Sequence, residues 1–400
     1  HPYAIGRMYQ IAESNDGALF YSDYQEIRQG KKIHHPTLEY QTGSIRNDFD
    51  FGQLLLFRND SFQQVVAQMN TDYRFAALYE LRLSISRLGK IVHIPETLYT
   101  VQPTDLRLSG EKQFDYVDPA NREVQLEMEA VCTAHLQAIG AWLAPEFQRI
   151  DFGQENFARE ASVIIPVRNR KRTIAEAVES ALQQQTDFSF NVIVVDNHST
   201  DGTGQILTEL SRRYPNLIHH IPASTELGIG GCWTEAILLP ECGKFAIQLD
   251  SDDLYKDCHV LQRIVDTFNQ ENCAMVIGSY QMVDFKLEEI PPGLIAHREW
   301  TPDNGRNNAL RINGLGAPRA FYTPVLRQIK FPNVSYGEDY ATALAISRKY
   351  PIARIYDPLY LCRRWEENSD HDLDIQQLNN YNFYKDKIRT LEIQARISGK

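Results

Sequence analysis

Residues Phe245-Ala-Ile-Gln-Leu-Asp250-Ser-Asp252-Asp253 form a short apolar run that ends in three carboxylates. The run reads as a buried strand that delivers clustered acids to its carboxyl end. Like charges repel, and burying them unpaired costs on the order of several kcal/mol. A divalent cation removes that cost, and carboxylate oxygens are the hard ligands that suit Mg²⁺ or Mn²⁺. Taken alone, the stretch also fits an acidic surface turn after an edge strand.

Its neighbours set it in an alternating pattern. Ala161–Val167 reads as a strand, and Thr173-Ile-Ala-Glu176 is a capping-box pattern that opens a helix. Ile174, Ala177, Val178, Ala181 and Leu182 supply the apolar face of that helix. Asn191–Asp196 reads as a second strand ending in an acid, followed by a polar turn and a helix carrying Ile206, Leu207 and Leu210. A strand near Leu217–His220, a helix around Trp233–Leu239 and the strand Phe245–Leu249 complete this half. Strands buried on both faces and alternating with helices predict a parallel sheet in an α/β domain. Ligands of such sheets lie beyond the strand carboxyl ends, where Arg168, Asp196 and Asp250 all fall.

Hydrophobic residues at 43% of 400 provide material for the cores of two or three domains. The net charge of -11 argues against a nucleic-acid partner, because phosphate binding needs a basic footprint. No apolar run approaches the roughly 18 to 20 residues that span a bilayer, which leaves peripheral membrane contact open. The six cysteines form no C-x-x-C pair and, in a chain this long, read as reduced cytoplasmic thiols. There is no signal-peptide pattern, and the first residue is His1 rather than Met, so sequence upstream is expected.

Internal similarity sets the domain plan. Asp16-Gly-Ala-Leu-Phe-Tyr-Ser-Asp-Tyr24-Gln25 lines up with Asn272-Cys-Ala-Met-Val-Ile-Gly-Ser-Tyr280-Gln281. Ile85-Ser86-Arg87 matches Ile346-Ser347-Arg348, and Leu98-Tyr99 matches Leu359-Tyr360 at that second offset. Carried backwards, the first alignment puts His1 opposite Asp257, a few residues past the acid cluster. Residues 1–102 are therefore expected to be the C-terminal half of a first copy, and 159–371 a complete second one. Residues 103–158 are expected to be a helical connector, with Val124, Met128, Val131 and Leu136 as one helical stripe, and 372–400 a C-terminal helix. In the first copy Leu78 stands opposite Asp339, or Glu80 does with a two-residue gap.

Three strand ends of the second copy converge on one crevice. Pro166-Val-Arg168-Asn-Arg170-Lys171-Arg172 places four basic residues before a helix N-terminus, a natural anion site. Val195-Asp196-Asn197-His198-Ser199-Thr200-Asp201-Gly202 is a turn rich in hydrogen-bonding side chains, and the acid cluster is the third. Together they suit a base or ribose, a diphosphate and a metal. On these residues the chain resembles family 2 glycosyltransferases of the GT-A fold. The carriers are I-I-P-V-R-N-R at 164–170, V-V-D-N-H-S-T-D-G-T at 194–203, L-D-S-D-D at 249–253 and G-E-D at 337–339.

The resemblance implies a Rossmann-like α/β domain that moves a sugar, with inversion, from a UDP- or GDP-linked donor to a glycan or glycoconjugate hydroxyl. It implies Mn²⁺ or Mg²⁺ on Asp252 and Asp253, with His371 completing the shell as a C-terminal histidine does in some GT-A enzymes. It implies donor contacts from Pro166, Arg168, Asp196, Asn197, Asp250, Glu338, Arg364 and Trp365, and Asp339 as general base. The chemistry asks for the same residue types. A sugar hydroxyl is a poor nucleophile and needs a carboxylate to take its proton, while a departing diphosphate needs positive charge.

Some positions depart from the family pattern. Asn197 stands where members often carry an acid, and no arginine occupies Gly228-Ile-Gly-Gly-Cys-Trp233. Diphosphate contacts then fall to Arg168, to Lys171 or to the amides of that glycine-rich turn. Cys362-Arg363-Arg364-Trp365 resembles the end of the Q-x-x-R-W motif of processive synthases, with Leu361 in the glutamine's place. The polar stretch from His297 to Asn308 reads as an acceptor-side loop or a surface excursion. Tandem modules suggest cytoplasmic polysaccharide or glycoconjugate synthesis, with the first module binding glycan or pairing two copies as a homodimer. The rival readings are a nucleotidyltransferase that makes activated sugars and a non-catalytic glycan-binding scaffold.

Overall fold

The structure is a computed structural model that describes residues 2–102, 121–153, 155–365 and 373–399. The chain forms two compact units. Unit 1 comprises His1–Ala144, Asn307–Asn313 and Asp372–Lys400, and unit 2 comprises Pro145–Arg306 and Gly314–His371. No helix among the described residues is long and apolar enough to cross a membrane.

In unit 1, α1 (Ala4–Glu13) leads into β1 (Leu19–Arg28), which forms a four-stranded sheet with β2 (Lys31–His35), β3 (Leu56–Phe57) and β4 (Ile91–Val101). α2 (Asn59–Val66) and α3 (Ala77–Leu88) precede β4, and α4 (Arg122–Ala138) follows it. The buried residues of α4 are Gln125, Val131, Cys132, His135 and Leu136, whereas Val124 and Met128 are half-buried. Its inner face is thus rotated from the apolar stripe toward two polar side chains. Burial, with the nearby Arg87 charge, pushes the His135 imidazole down to about 4, so it sits there neutral. Leu78 is 55% exposed, and the Glu80 carboxylate accepts the Asn70 N–H.

The C-terminal helix Ile375–Ile397 belongs to unit 1. Its fully buried Asp386 accepts from Ser44 Oγ at 3.0 Å and from Arg389 Nη1 at 2.7 Å, while Arg46 Nε lies 3.3 Å away. A side chain at Gly43 would meet the Asp386 carbonyl oxygen at 2.2 Å, so only glycine allows the loop this close.

Unit 2 carries a nine-stranded sheet. β5 (Ala161–Val167), α5 (Ile174–Leu182), β6 (Phe190–Asp196), α6 (Thr203–Arg213), β7 (Leu217–His220), α7 (Ile229–Leu238) and β8 (Phe245–Gln248) alternate along its first half. β9 (Leu254–Tyr255), α8 (Val260–Glu271), β10 (Met275–Val283), β11 (Glu289–Ile295) and the short α9 (Gly305–Asn308) follow. β12 (Arg319–Tyr322), α10 (Thr323–Ile329), α11 (Glu338–Ser347) and β13 (Ile352–Arg363) complete it. The strand order is β7-β6-β5-β8-β12-β10-β13-β9, with β11 on β10.

Only part of this sheet is parallel. β7, β6, β5 and β8 run parallel, but β12 lies antiparallel between β8 and β10. Two reversals restore the direction, so β10 and β13 point the same way as β8. The carboxyl ends of β5, β6, β8, β10 and β13 therefore open onto one edge. The amino end of β12, which is Arg319, opens there too. All but one residue of β5 and β6 beyond their ends are buried, including Val163, Ile164, Val192 and Ile193, as a strand covered on both faces requires.

The two units repeat one strand pattern. β1 and β4 pair in parallel with Leu19↔Ile91 and Tyr24↔Tyr99, and β10 and β13 pair in parallel with Met275↔Ile352 and Tyr280↔Tyr360. Both ladders slip at one place, around Asp23 in unit 1 and Ser279 in unit 2. β3 meets β1 through Leu19↔Phe57 just as β12 meets β10 through Met275↔Phe321. Register and bulge coincide at the positions where Asp16–Gln25 and Asn272–Gln281 align in sequence.

Candidate active site

The acid cluster lies at the β8 end, on the shared edge. Asp250 is held on both sides: its N–H donates to the Tyr360 hydroxyl at 2.8 Å, and Gln248 Nε2 donates to its carboxylate at 2.9 and 3.0 Å. Asp252 Oδ2 accepts from Trp365 Nε1 at 3.1 Å, with Arg170 Nε at 3.8 Å. Buried Asp253 accepts the Arg363 N–H at 2.8 Å. Burial, and then the charges of Asp252 and Asp250, push the Asp253 carboxyl well above the usual carboxylate range. Burial raises Asp250 as well, against the pull of Gln248 and Arg319.

These oxygens fit a divalent cation in one respect: they concentrate negative charge that their protein neighbours leave incompletely balanced. Among the described residues, no group of three His, Cys, Asp or Glu side chains already stands as a metal cage. His371 lies outside the described residues.

Asp339 sits at the start of α11. Gly337, with φ of 81°, takes the left-handed turn that aims Glu338 and Asp339 from the first helical turn, where the helix dipole favours carboxylates. Asp339 Oδ2 pairs with Arg319 Nη2 at 2.8 Å. Glu338 beside it is buried, and its Oε2 has no hydrogen-bond partner within the described residues. Burial, then the Asp339 charge, pushes Glu338 up to about 8, so a neutral acid flanks a charged one.

The other residues expected to contact a donor lie at or just past the ends of β5, β6 and β13 on the same edge. Pro166 is half-buried and Arg168 exposed on the loop after β5. Asp196 is turned into its own loop, accepting the Ser199 N–H at 2.9 Å with His219 Nε2 at 3.4 Å. Burial raises its carboxyl, but these two partners outweigh it and leave it low. Asn197 Nδ2 donates to the Leu227 carbonyl at 2.7 Å, while its buried Oδ1 finds no partner among the described residues. The Arg364 N–H donates to the Val283 carbonyl at 2.9 Å. The structure therefore joins Asp250, Asp252, Asp253, Asp339, Glu338 and Trp365 through shared neighbours. Among the described residues, the side-chain partners of Asp196 and Asn197 are Ser199, His219 and Leu227 rather than members of that cluster.

Several expectations need correction. Thr173 makes no side-chain cap bond, and Glu176 pairs with Arg363 Nη1 of β13 instead, so the capping box does not form. The glycine-rich turn does not offer all its amides to a ligand, because Gly228 N–H donates to Asn333 Oδ1 at 2.7 Å and Gly230 N–H to the Val334 carbonyl at 2.9 Å. The stretch after His297 is no surface excursion: His297, Glu299, Trp300 and Arg306 are buried, and His297 Nδ1 lies 2.8 Å from Glu299 Oε1.

Sequence reasoning missed Gln248, Arg319, Tyr360 and Phe285. A signal for Gln248 was present, since it is the one polar side chain within the Phe245–Leu249 run. Phe285 packs edge-on against Trp365 at 5.3 Å, and the Arg172 guanidinium lies 4.1 Å from the Phe285 ring centre. Arg170 and Arg172 of the basic loop are thus held by the aromatic pair beside Asp252.

Comparison with known proteins gives the same region. The family model described as Glycosyl transferase family 2 matches residues 162–329. An uncharacterized glycosyltransferase of Nostoc sp. is 32% identical over 123 residues, covering 31% of this chain and 37% of its own length. The poly(ribitol-phosphate) beta-glucosyltransferase of Bacillus spizizenii is 24% identical over 230 residues, covering 56% of this chain and 35% of its own length. The putative teichuronic acid biosynthesis glycosyltransferase TuaG of Bacillus subtilis is 26% identical over 195 residues, covering 48% and 74%. The chain thus spans little more than a third of the first two relatives.

Proposed function

We propose, from the premise that this chain is a glycosyltransferase of family 2 with a GT-A domain in unit 2, that unit 2 transfers a sugar from a nucleotide-activated donor to an acceptor hydroxyl with inversion. One observation carries the reading. Asp250 at the β8 end and Asp339 at the α11 end belong to one chain of contacts, Asp250–Gln248–Arg319–Asp339. An acid for the donor side and a base for the acceptor side thus share one edge.

In this reading Asp339 takes the proton of the acceptor hydroxyl as its oxygen attacks the anomeric carbon. The bond from that carbon to the diphosphate oxygen breaks, and its electron pair leaves with the nucleoside diphosphate. A single displacement inverts the carbon and needs no covalent nucleophile. Asp252 and Asp253, with Asp250 beside them and His371 as a further ligand, would hold Mn²⁺ or Mg²⁺. When bound, such an ion neutralises charge on the leaving diphosphate. Arg168 and Lys171 add positive charge at the β5 loop. Asn197 Oδ1 is a buried acceptor suited to an N–H of the nucleotide base. Pro166 and Asp196 shape that pocket, Glu338 backs the base, and Arg364 and Trp365 stand at the mouth.

The relatives named for poly(ribitol-phosphate) glucosylation and teichuronic acid biosynthesis favour a polysaccharide or related polymer as acceptor; we read the work as cytoplasmic. Unit 1 we read as a second, partial module that serves acceptor binding or pairing of two copies. The test is a panel of UDP-glucose, UDP-GlcNAc and GDP-mannose with Mn²⁺, scored for thermal stabilisation and nucleotide release. Release that disappears in Asp339→Asn supports the reading. No stabilisation and no release from any donor would remove it.

A further inference from the structure

We infer that Arg319 is the positioning residue for the base: its guanidinium fixes the Asp339 carboxylate and, through Gln248, ties it to Asp250 on the donor side. The inference rests on Asp339 being the base and adds what aims it. Arg319 Nη2 lies 2.8 Å from Asp339 Oδ2, its N–H donates to Gln248 Oε1 at 3.1 Å, and its Nη1 approaches the same oxygen at 3.3 Å. The Gln248 amide then donates to both oxygens of Asp250. Gln248 is itself pinned, because its carbonyl accepts the Tyr255 hydroxyl at 2.8 Å.

The fold explains how one side chain reaches both. β12 is the antiparallel strand set between β8 and β10, so its first residue lies on the edge where its neighbours end. Ala320 pairs with Ile247, which brings Arg319 beside Gln248. A planar guanidinium can serve a carboxylate and an amide oxygen in one geometry, which the point charge of a lysine cannot reproduce. The carboxyl groups facing Arg319 are those of Asp339, Asp250 and Glu338, and burial opposes its charge while these three favour it. Arg319→Gln would take away the guanidinium that pairs with Asp339 and also interacts with Asp250. A base must be aimed at its proton to within a fraction of an ångström, so a lost anchor is felt in turnover before it is felt in binding.

The test uses the full chain and the donor it hydrolyses fastest from the panel above, with Mn²⁺. Arg319→Gln should lower kcat about 100-fold. Donor KM should change less than about 3-fold, since the hydrogen bonds of Arg319 reach the Asp250 side only through Gln248. Arg319→Lys should recover about a tenth of the wild-type kcat by restoring charge without the fork. In an Asp339→Asn background, Arg319→Gln should cause no further loss, because its effect passes through Asp339. An equal loss in both backgrounds, a raised KM with kcat kept, or wild-type kcat in Arg319→Gln would each overturn the inference. If Arg319→Gln does not fold, Arg319→Lys decides: wild-type kcat in that variant overturns it, and a 10-fold loss at unchanged Tm supports it. Should Asp339→Asn itself keep wild-type kcat, the base assignment falls and this inference with it.

Discussion

Gly230→Ala measures how closely the glycine-rich turn is wedged against Pro332 and Glu338. Gly230 lies in the first turn of α7 and donates its N–H to Val334. A Cβ built on it would lie 2.0 Å from the Pro332 carbonyl oxygen and 2.9 Å from Glu338 Cβ. The clash is with backbone, so no rotamer relieves it, and the two segments must part by about 1 Å. Overpacking of that kind costs about 1–3 kcal/mol. Alanine regains about 1 kcal/mol by helix propensity, which leaves the steric loss ahead. Scanning calorimetry should show a Tm lower by up to about 8 °C for a unit of this size. The same displacement reaches Glu338 and Asp339, and a shift of about 1 Å at a base costs turnover up to 100-fold. Gly6→Ala in α1 is the control, because nothing lies within 4 Å of its added Cβ and only propensity acts. If Gly230→Ala raises Tm as Gly6→Ala does and keeps kcat, the close approach is absent and the reasoning fails.

Glu338→Gln tests the raised acid. A carboxyl held near 8 in the fold and near 4.5 in the unfolded chain gives stability that is full below 4.5 and lost as pH rises through 8. The loss is on the order of 5 kcal/mol, and Tm of the variant minus that of the wild type, measured in EDTA, should grow between pH 5 and pH 9; parallel curves would contradict it. Mn²⁺ at a hundred times its Kd should stabilise the wild type by about 2.7 kcal/mol. Asp253→Asn should abolish that response while costing the metal-free protein little, since burial and the neighbouring carboxylates already oppose its charge. Asn197→Asp replaces the donor to the Leu227 carbonyl with an acceptor, so Tm should fall by the equivalent of about 1–3 kcal/mol. An unchanged Tm would show that the amide is not needed there.

The strands that deliver the site were legible because each is a short apolar run stopped by polar residues. β5, β6, β7 and β8 all begin and end within a residue of their sequence signals. Contacts that cross the fold were not legible. Arg319 meets Asp339 only because an antiparallel strand is inserted between parallel ones, and no local pattern announces that reversal. Glu176 fits a capping box locally, but Arg363, far along the chain, takes its carboxylate. On α4 the apolar stripe gave the period and missed the phase, because unit 1 buries Gln125 and His135 as well. Short-range chemistry was thus readable wherever nothing distant competed for the same side chain.

The division of unit 1 among separate stretches of chain has a consequence for its birth on the ribosome. Residues 1–144 of it emerge before unit 2, but the helix Ile375–Ile397 that caps the Gly43–Arg46 loop emerges after unit 2. At about 5–20 residues per second the interval is on the order of ten seconds or more. During that time Ser44 and Arg46 lack the carboxylate they enclose in the finished structure. Unit 1 therefore closes only after all of unit 2 has been made, and a chain stalled before Ile375 would leave the Gly43–Arg46 loop without the helix that satisfies it.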